Sequence, residues 1–150
     1  MARHYPEALV IGADTVVVVD GRILGKPLDE NQAREYLLLL QDNTHDVFTG
    51  YTIVCGSHTK SRVIRTRVSF NPMSQEEISW YIASGEPMDK AGAYAVQGIA
   101  SMFIAGIQGS YTNVIGLPVS ELYEDLKRFG LTFHGTEGGG SAYEEACTDH

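Results

Sequence analysis

The chain has 150 residues, 43% of them hydrophobic, and a formal net charge of −8. That length and composition fit one ordinary domain with a real core. The negative charge argues against a sequence-independent nucleic-acid binder, and no run approaches the ~20 apolar residues that cross a bilayer.

The first residues, Met1 to Glu7, carry no secretory apolar region, and the expected compartment is the cytoplasm. Cys55 and Cys147 lie far apart in sequence, so no disulfide and a reducing compartment are expected.

In chain order, Ala8-Leu9-Val10-Ile11 and Val16-Val17-Val18-Val19 predict strands over about 8–12 and 15–19. Between them lies Gly12-Ala13-Asp14-Thr15. A carboxylate between two apolar segments needs a partner, a metal or water. Two readings of Asp14 are open: a carboxylate held by the sheet at the floor of a cleft, or a turn cap at a strand end. Asp20-Gly21 is a turn, and Gly25-Lys26-Pro27 places Lys26 on a loop or strand end, where an ordinary solvated lysine is the default. The rest of a P-loop is missing.

Asp29 is the expected N-cap of a helix whose core stripe is Ala33, Tyr36, Leu37 and Leu40, with Asn43 as its stop. A strand follows over about 47–55. His45 and Asp46 before it suggest a hydrogen-bonded loop histidine more than a metal site. After a turn at 56–59, residues 61–70 alternate, with Ile64, Val68 and Phe70 on one face and a solvated Arg65/Arg67 ladder on the other.

Ser74-Gln75-Glu76-Glu77 is a capping box, followed by a stripe of Ile78, Tyr81 and Ile82, with Trp80 over its flank, and a stop at Gly85. Residues 86–98 mix charge, glycine and apolar residues without a period, as loops that carry sites do. A strand is expected over 101–107 and a loop over 108–113. Pro118 is the expected first residue of a last helix, with a stripe of Leu122, Leu126 and Phe129 and an end at Gly130. Beyond about 134 the composition predicts a disordered tail.

Six pieces carry chemistry when taken together: Gly12-Ala13-Asp14-Thr15, Gly25-Lys26-Pro27, Thr44 to Gly50, Gly85-Glu86-Pro87-Met88-Asp89-Lys90-Ala91-Gly92, Gln97-Gly98 and Gly109 to Pro118. In this order and spacing, from about residue 8 to 130, they closely resemble the Maf family of nucleoside triphosphate pyrophosphatases. The resemblance implies an α/β fold like that of the inosine triphosphate pyrophosphatases: a mixed sheet, flanking helices and a cleft between two lobes. It implies a Maf-like domain over residues 1–133, a tail over 134–150 and a homodimer. Family members begin with a loop of the type Ser-x-Ser-Pro-Arg-Arg, which is not found here, so the expected domain is incomplete at its N-terminus.

Roles follow by position. The resemblance makes Asp14 the proton acceptor and, with Asp89, a ligand of a divalent cation, Mg or Mn. Thr15 and Gln97 fall at base-selecting positions and look like the branch acting on dTTP and UTP, with modified pyrimidine nucleotides as a further substrate class. Lys26 and Lys90 would contact the triphosphate, with Ser110 and Asn113 in the site wall. A nucleotide-binding or dimerising remnant without turnover stands beside the enzyme reading.

Overall fold

The computed structural model describes residues 8–131. The expected tail over 134–150 lies outside them. The fold is mixed α/β, with a five-stranded sheet in the order β2-β1-β3-β4-β5. The strands are β1 (Leu9–Val19), β2 (Arg22–Leu24), β3 (Thr44–Cys55), β4 (His58–Phe70) and β5 (Ile104–Gln108). The helices are α1 (Glu30–Leu40), α2 (Gln75–Ala83), α3 (Tyr111–Ile115) and α4 (Val119–Arg128). The chain divides into two compact units, one containing 15–49 and 64–118, the other containing the remaining described residues.

In the larger unit, β1 and β2 form an antiparallel hairpin with Val19 opposite Arg22. Asp20 and Gly21 both have positive φ, 49° and 75°, the two-residue turn whose twist matches the strands. The two expected strands around Asp14 are one continuous β1. Neither Gly12 nor Ala13 takes a positive φ, so nothing breaks the extended run. Asp14 is therefore within a strand, not capping the end of one.

Helix α1 forms as its caps and stripe dictate. Asp29 Oδ1 accepts from the Gln32 N–H at 2.8 Å, and Ala33, Tyr36, Leu37 and Leu40 are its buried residues. Fully burying a leucine such as Leu37 contributes about 2 kcal/mol relative to leaving it in water. The helix ends earlier than expected, with Gln41 as its cap. Asn43 still serves that end, because its Nδ2 donates to the Leu39 carbonyl at 3.0 Å. The capping box of α2 is present in full, and Ile78, Tyr81 and Ile82 are buried. Trp80, by contrast, is mostly exposed. These stripes join Val17, Val19, Leu24, Val68, Phe70 and Phe103 in one hydrophobic core.

Three expectations need correction in this unit. Strand β3 starts at Thr44 rather than 47, because His45 is in register with the buried face that Val47 and Thr49 continue. His45 is thus a core strand residue. The strand expected over 101–107 is displaced: Ile99–Phe103 is a 3-10 turn and pairing begins at Ile104, with Val68 opposite Ile107. The loop over 108–113 contains α3, capped by Ser110, whose Oγ accepts from the Asn113 N–H at 3.2 Å. The Arg65/Arg67 ladder is on the outer face as expected, and both arginines pair with Asp46, at 2.9 and 3.6 Å.

In the smaller unit, Gly56-Ser57 turns the chain and β4 starts at His58. Tyr51, Ile53 and Leu122 are buried. Pro118 directly precedes α4 rather than opening it, a difference of one position at a helix end. Asp125 on α4 is 1% exposed and accepts a 2.7 Å hydrogen bond from the Tyr51 hydroxyl. Burial, and then this carboxylate, push the Tyr51 phenol up to about 12. Cys55 is fully buried. Cys147 lies outside the described residues.

Candidate active site

The larger unit encloses a cavity of about 170 Å³. Strand β1 contributes Thr15 and Val17, and β3 contributes Val47. Lys90, Ala91 and Tyr94 to Gln97 come from the irregular stretch after α2, and Val114, Ile115 and Gly116 from the end of α3. The wall is mainly apolar, with a few polar groups, which is the composition of a small-molecule site.

Thr15 is oriented at both ends of its hydroxyl. Its Oγ1 donates to the Gly116 carbonyl at 3.1 Å and is 2.8 Å from the Thr49 Oγ1. One hydroxyl has one hydrogen and two lone pairs. With the hydrogen given to Gly116, Thr49 must be the donor in the second bond. Thr49 is fully buried, and a threonine on the buried face of β3 was the sequence signal that it needed such a partner.

The irregular stretch is fixed by backbone contacts. Gly92 has φ of 73°, and its N–H donates to the Gly25 carbonyl at 3.1 Å. A Cβ at Gly92 would meet the Val17 side chain at 2.9 Å. Only glycine meets both demands, and the result ties the Lys26 loop to the turn that carries Lys90. Lys90 Nζ pairs with Asp89 at 3.1 Å. The Lys90 hydrogen bond and charge, and then the Lys26 charge, hold the Asp89 carboxyl below the usual carboxylate range. Lys26, Asp89 and Lys90 therefore form one electrostatic group. The Lys90–Asp89 pair is exposed and worth little, so Lys90 can exchange its partner for a phosphate at small cost.

Asp14 is exposed on β1 immediately before Thr15, and it is not among the cavity-lining residues. Gln97 is exposed at the cavity wall. Ser110 and Asn113 do not line the cavity but hold its wall. Asn113 is fully buried, and the two hydrogens of its Nδ2 are shared among three acceptors, Val47 O and Ile64 O, both at 3.1 Å, and Thr66 Oγ1 at 2.9 Å. Ser110 N donates to Thr66 Oγ1 at 3.1 Å. Together these bonds pin α3, and with it Val114 to Gly116, to β3 and β4. Asn113→Ala is expected to lower unfolding free energy by about 2 kcal/mol, because it strips buried carbonyls of their donor. Urea denaturation checks this, and a change below 0.5 kcal/mol, or roughly the noise of a surface substitution, would remove Asn113 from that role.

Tyr94 and His45 were not among the sequence candidates. Tyr94 lines the cavity, and its hydroxyl is hydrogen-bonded to His45 Nε2 at 2.7 Å. Burial holds the His45 imidazole down at about 4, with Asp46 opposing, so it is neutral near pH 7.

A divalent cation is the group implied at this site. Among the described residues, no three His, Cys, Asp or Glu side chains cluster to hold a metal. A cage made of protein ligands alone is therefore not offered there. Carboxylates such as Asp14 and Asp89 are hard oxygen donors. They fit Mg²⁺ or Mn²⁺ of the kind that takes one or two carboxylates and completes its shell with phosphates and water.

Known proteins with similar sequences bear on this site. Residues 1–129 match the family of Maf-like proteins. The chain is 50% identical over 140 residues to the dTTP/UTP pyrophosphatase of Syntrophus aciditrophicus, covering 91% of this chain and 68% of that one. It is 52% identical over 132 residues to the protein of that name in Pelotomaculum thermopropionicum, covering 87% and 69%. The Myxococcus xanthus protein of that name is 47% identical over 131 residues, covering 87% and 66%. The chain thus spans about two thirds of the length of these relatives. On the extent of the family match and these identities, the chain belongs to the Maf-like protein family.

Proposed function

We propose that this chain is a nucleoside triphosphate pyrophosphatase that hydrolyses dTTP and UTP to the monophosphate and pyrophosphate. The observation that carries this reading is the meeting of Thr15, Gln97 and Lys90 on one cavity. Relatives at about 50% identity named dTTP/UTP pyrophosphatase support the choice of substrate.

The chemistry follows from the side chains. A uracil or thymine ring edge presents an N–H flanked by two carbonyls. The Gln97 amide offers both a donor and an acceptor to that edge, and the Thr15 hydroxyl beside it can do either. Cytosine carries an acceptor nitrogen in place of that N–H and an amine in place of one carbonyl, a mismatch that a site built on hydrogen bonds to uracil or thymine penalises. Asp14 takes a proton from the water that attacks the α-phosphorus. The new bond joins that oxygen to the α-phosphorus, the bond from the α-phosphorus to the bridging oxygen breaks, and pyrophosphate leaves. Lys26 and Lys90 offset the negative charge that gathers on pyrophosphate. Asp14 and Asp89 would hold Mg²⁺ or Mn²⁺, which supplies further charge neutralisation on the phosphate oxygens. Such an enzyme acts on the free nucleotide pool, so the cytoplasm is its expected compartment. The resemblance adds a homodimer.

The test is pyrophosphate release with dTTP, UTP, CTP and GTP, with and without Mg²⁺ or Mn²⁺. Metal-dependent release favouring dTTP and UTP is expected. Nucleotide binding without release would replace this reading with that of a binding protein. Gln97→Ala is expected to reduce the dTTP-to-CTP ratio of kcat/KM by about tenfold, roughly one hydrogen bond to a base, with a smaller loss of kcat on dTTP. Equal losses on all four nucleotides would take the specificity role away from Gln97.

A further inference from the structure

Glu86 lies outside the cavity, yet its carboxylate is built into the turn that presents Gln97. Oε1 accepts from the Ile99 N–H at 2.8 Å and Oε2 from the Ala100 N–H at 3.2 Å. The Tyr81 hydroxyl also donates to Oε2. Tyr81 is fully buried on α2, with its ring edge against Phe103, so the carboxylate is tied to the core on one side and to residues 99–100 on the other. The fit tolerates no side chain at position 98. A Cβ on Gly98 would be 1.7 Å from Glu86 Oε1. Gly98 N in turn donates to the Ala95 carbonyl at 3.0 Å, closing a tight turn around Val96 and Gln97. Val96 is buried beside the exposed Gln97.

We propose that Glu86 is a positioning residue for nucleotide selection. By clamping residues 98–100, it holds the Gln97 backbone in the one conformation that aims the Gln97 amide into the cavity. This rests on the reading that Gln97 selects the base. The carboxylate suits the task because it accepts from two backbone N–H groups and a phenol at once. A glutamine of the same shape offers one acceptor oxygen in place of two and puts an NH₂ against a donor.

Glu86→Gln and Tyr81→Phe test this. In Glu86→Gln the dTTP-to-CTP ratio of kcat/KM is expected to fall about fivefold, within the range set by losing one oriented contact, while kcat on dTTP stays within about threefold. In a Gln97→Ala background Glu86→Gln should produce no further loss of discrimination, since both act through one side chain. The ¹⁵N order parameter of Gln97 in the nucleotide-free protein should drop in Glu86→Gln. An unchanged order parameter, or a fully additive double mutant, overturns the proposal. If wild type does not discriminate among nucleotides, the base-selection reading fails on its own, and the order parameter still decides whether Glu86 holds Gln97. If Glu86→Gln does not fold, Tyr81→Phe, which removes one donor to the same carboxylate, takes the same measurements and is expected to shift them in the same direction.

Discussion

Asp14→Asn is expected to lower pyrophosphate release from dTTP by at least about 100-fold, the usual scale for losing a positioned general base. The substitution keeps the size and planarity of the side chain and removes its ability to take a proton. It also weakens the hold on a divalent cation, since an amide is a poorer ligand than a carboxylate. Asp14 is exposed on β1, and the core beneath that strand is supplied by Val17 and Val19. The melting temperature should therefore change by no more than a few degrees. Comparing kcat with the dissociation constant for dTTP separates the roles. A large fall in kcat with near-normal binding identifies the base, and weakened binding rescued by higher Mn²⁺ identifies the metal ligand. A variant that keeps a near-normal rate with both metals would exclude Asp14 from catalysis.

What was legible in the sequence was mostly local. The Asp29 cap, the Ser74 capping box and the stripes of α1 and α2 depend on residues three or four apart, and each was found where its spacing put it. The six ordered motifs pointed to the family, and they named Thr15, Lys90 and Gln97, which do meet on one cavity. The misses have non-local causes. His45 joins β3 because its ring packs against Phe70 and Tyr94, far along the chain. Helix α3 has five residues and too little periodicity to read, and it is held by Asn113 bonds to Val47, Ile64 and Thr66. Ser110 and Asn113, expected in the site wall, pin that wall to the sheet. Their polar character comes from buried backbone that needs partners, a need that appears only once the strands are side by side.

The buried imidazole of His45 should make the protein sensitive to mild acid. Its folded value is about 4, against 6.5 for an unperturbed histidine, because burial disfavours the charged ring more than Asp46 favours it. Above pH 6.5 His45 is neutral in both states and contributes no pH dependence. Between pH 6.5 and about 4 the unfolded chain binds a proton that the folded chain does not, so stability falls as pH falls. Across that window the loss is about 3 kcal/mol, at ~1.4 kcal/mol per pKa unit. The low-lying carboxyls of Asp46 and Asp89 titrate mainly below it. Urea denaturation at pH 4.5, 5.5 and 7 should show this slope in wild type. His45→Gln keeps a polar partner for the Tyr94 hydroxyl and cannot titrate, so its stability should be lower at pH 7 and much flatter with pH. The same slope in both proteins would assign the acid sensitivity elsewhere. Because Tyr94 lines the cavity and is bonded to His45, charging the imidazole strains the cavity wall directly. Nucleotide affinity should therefore weaken over the same pH range in wild type and not in His45→Gln.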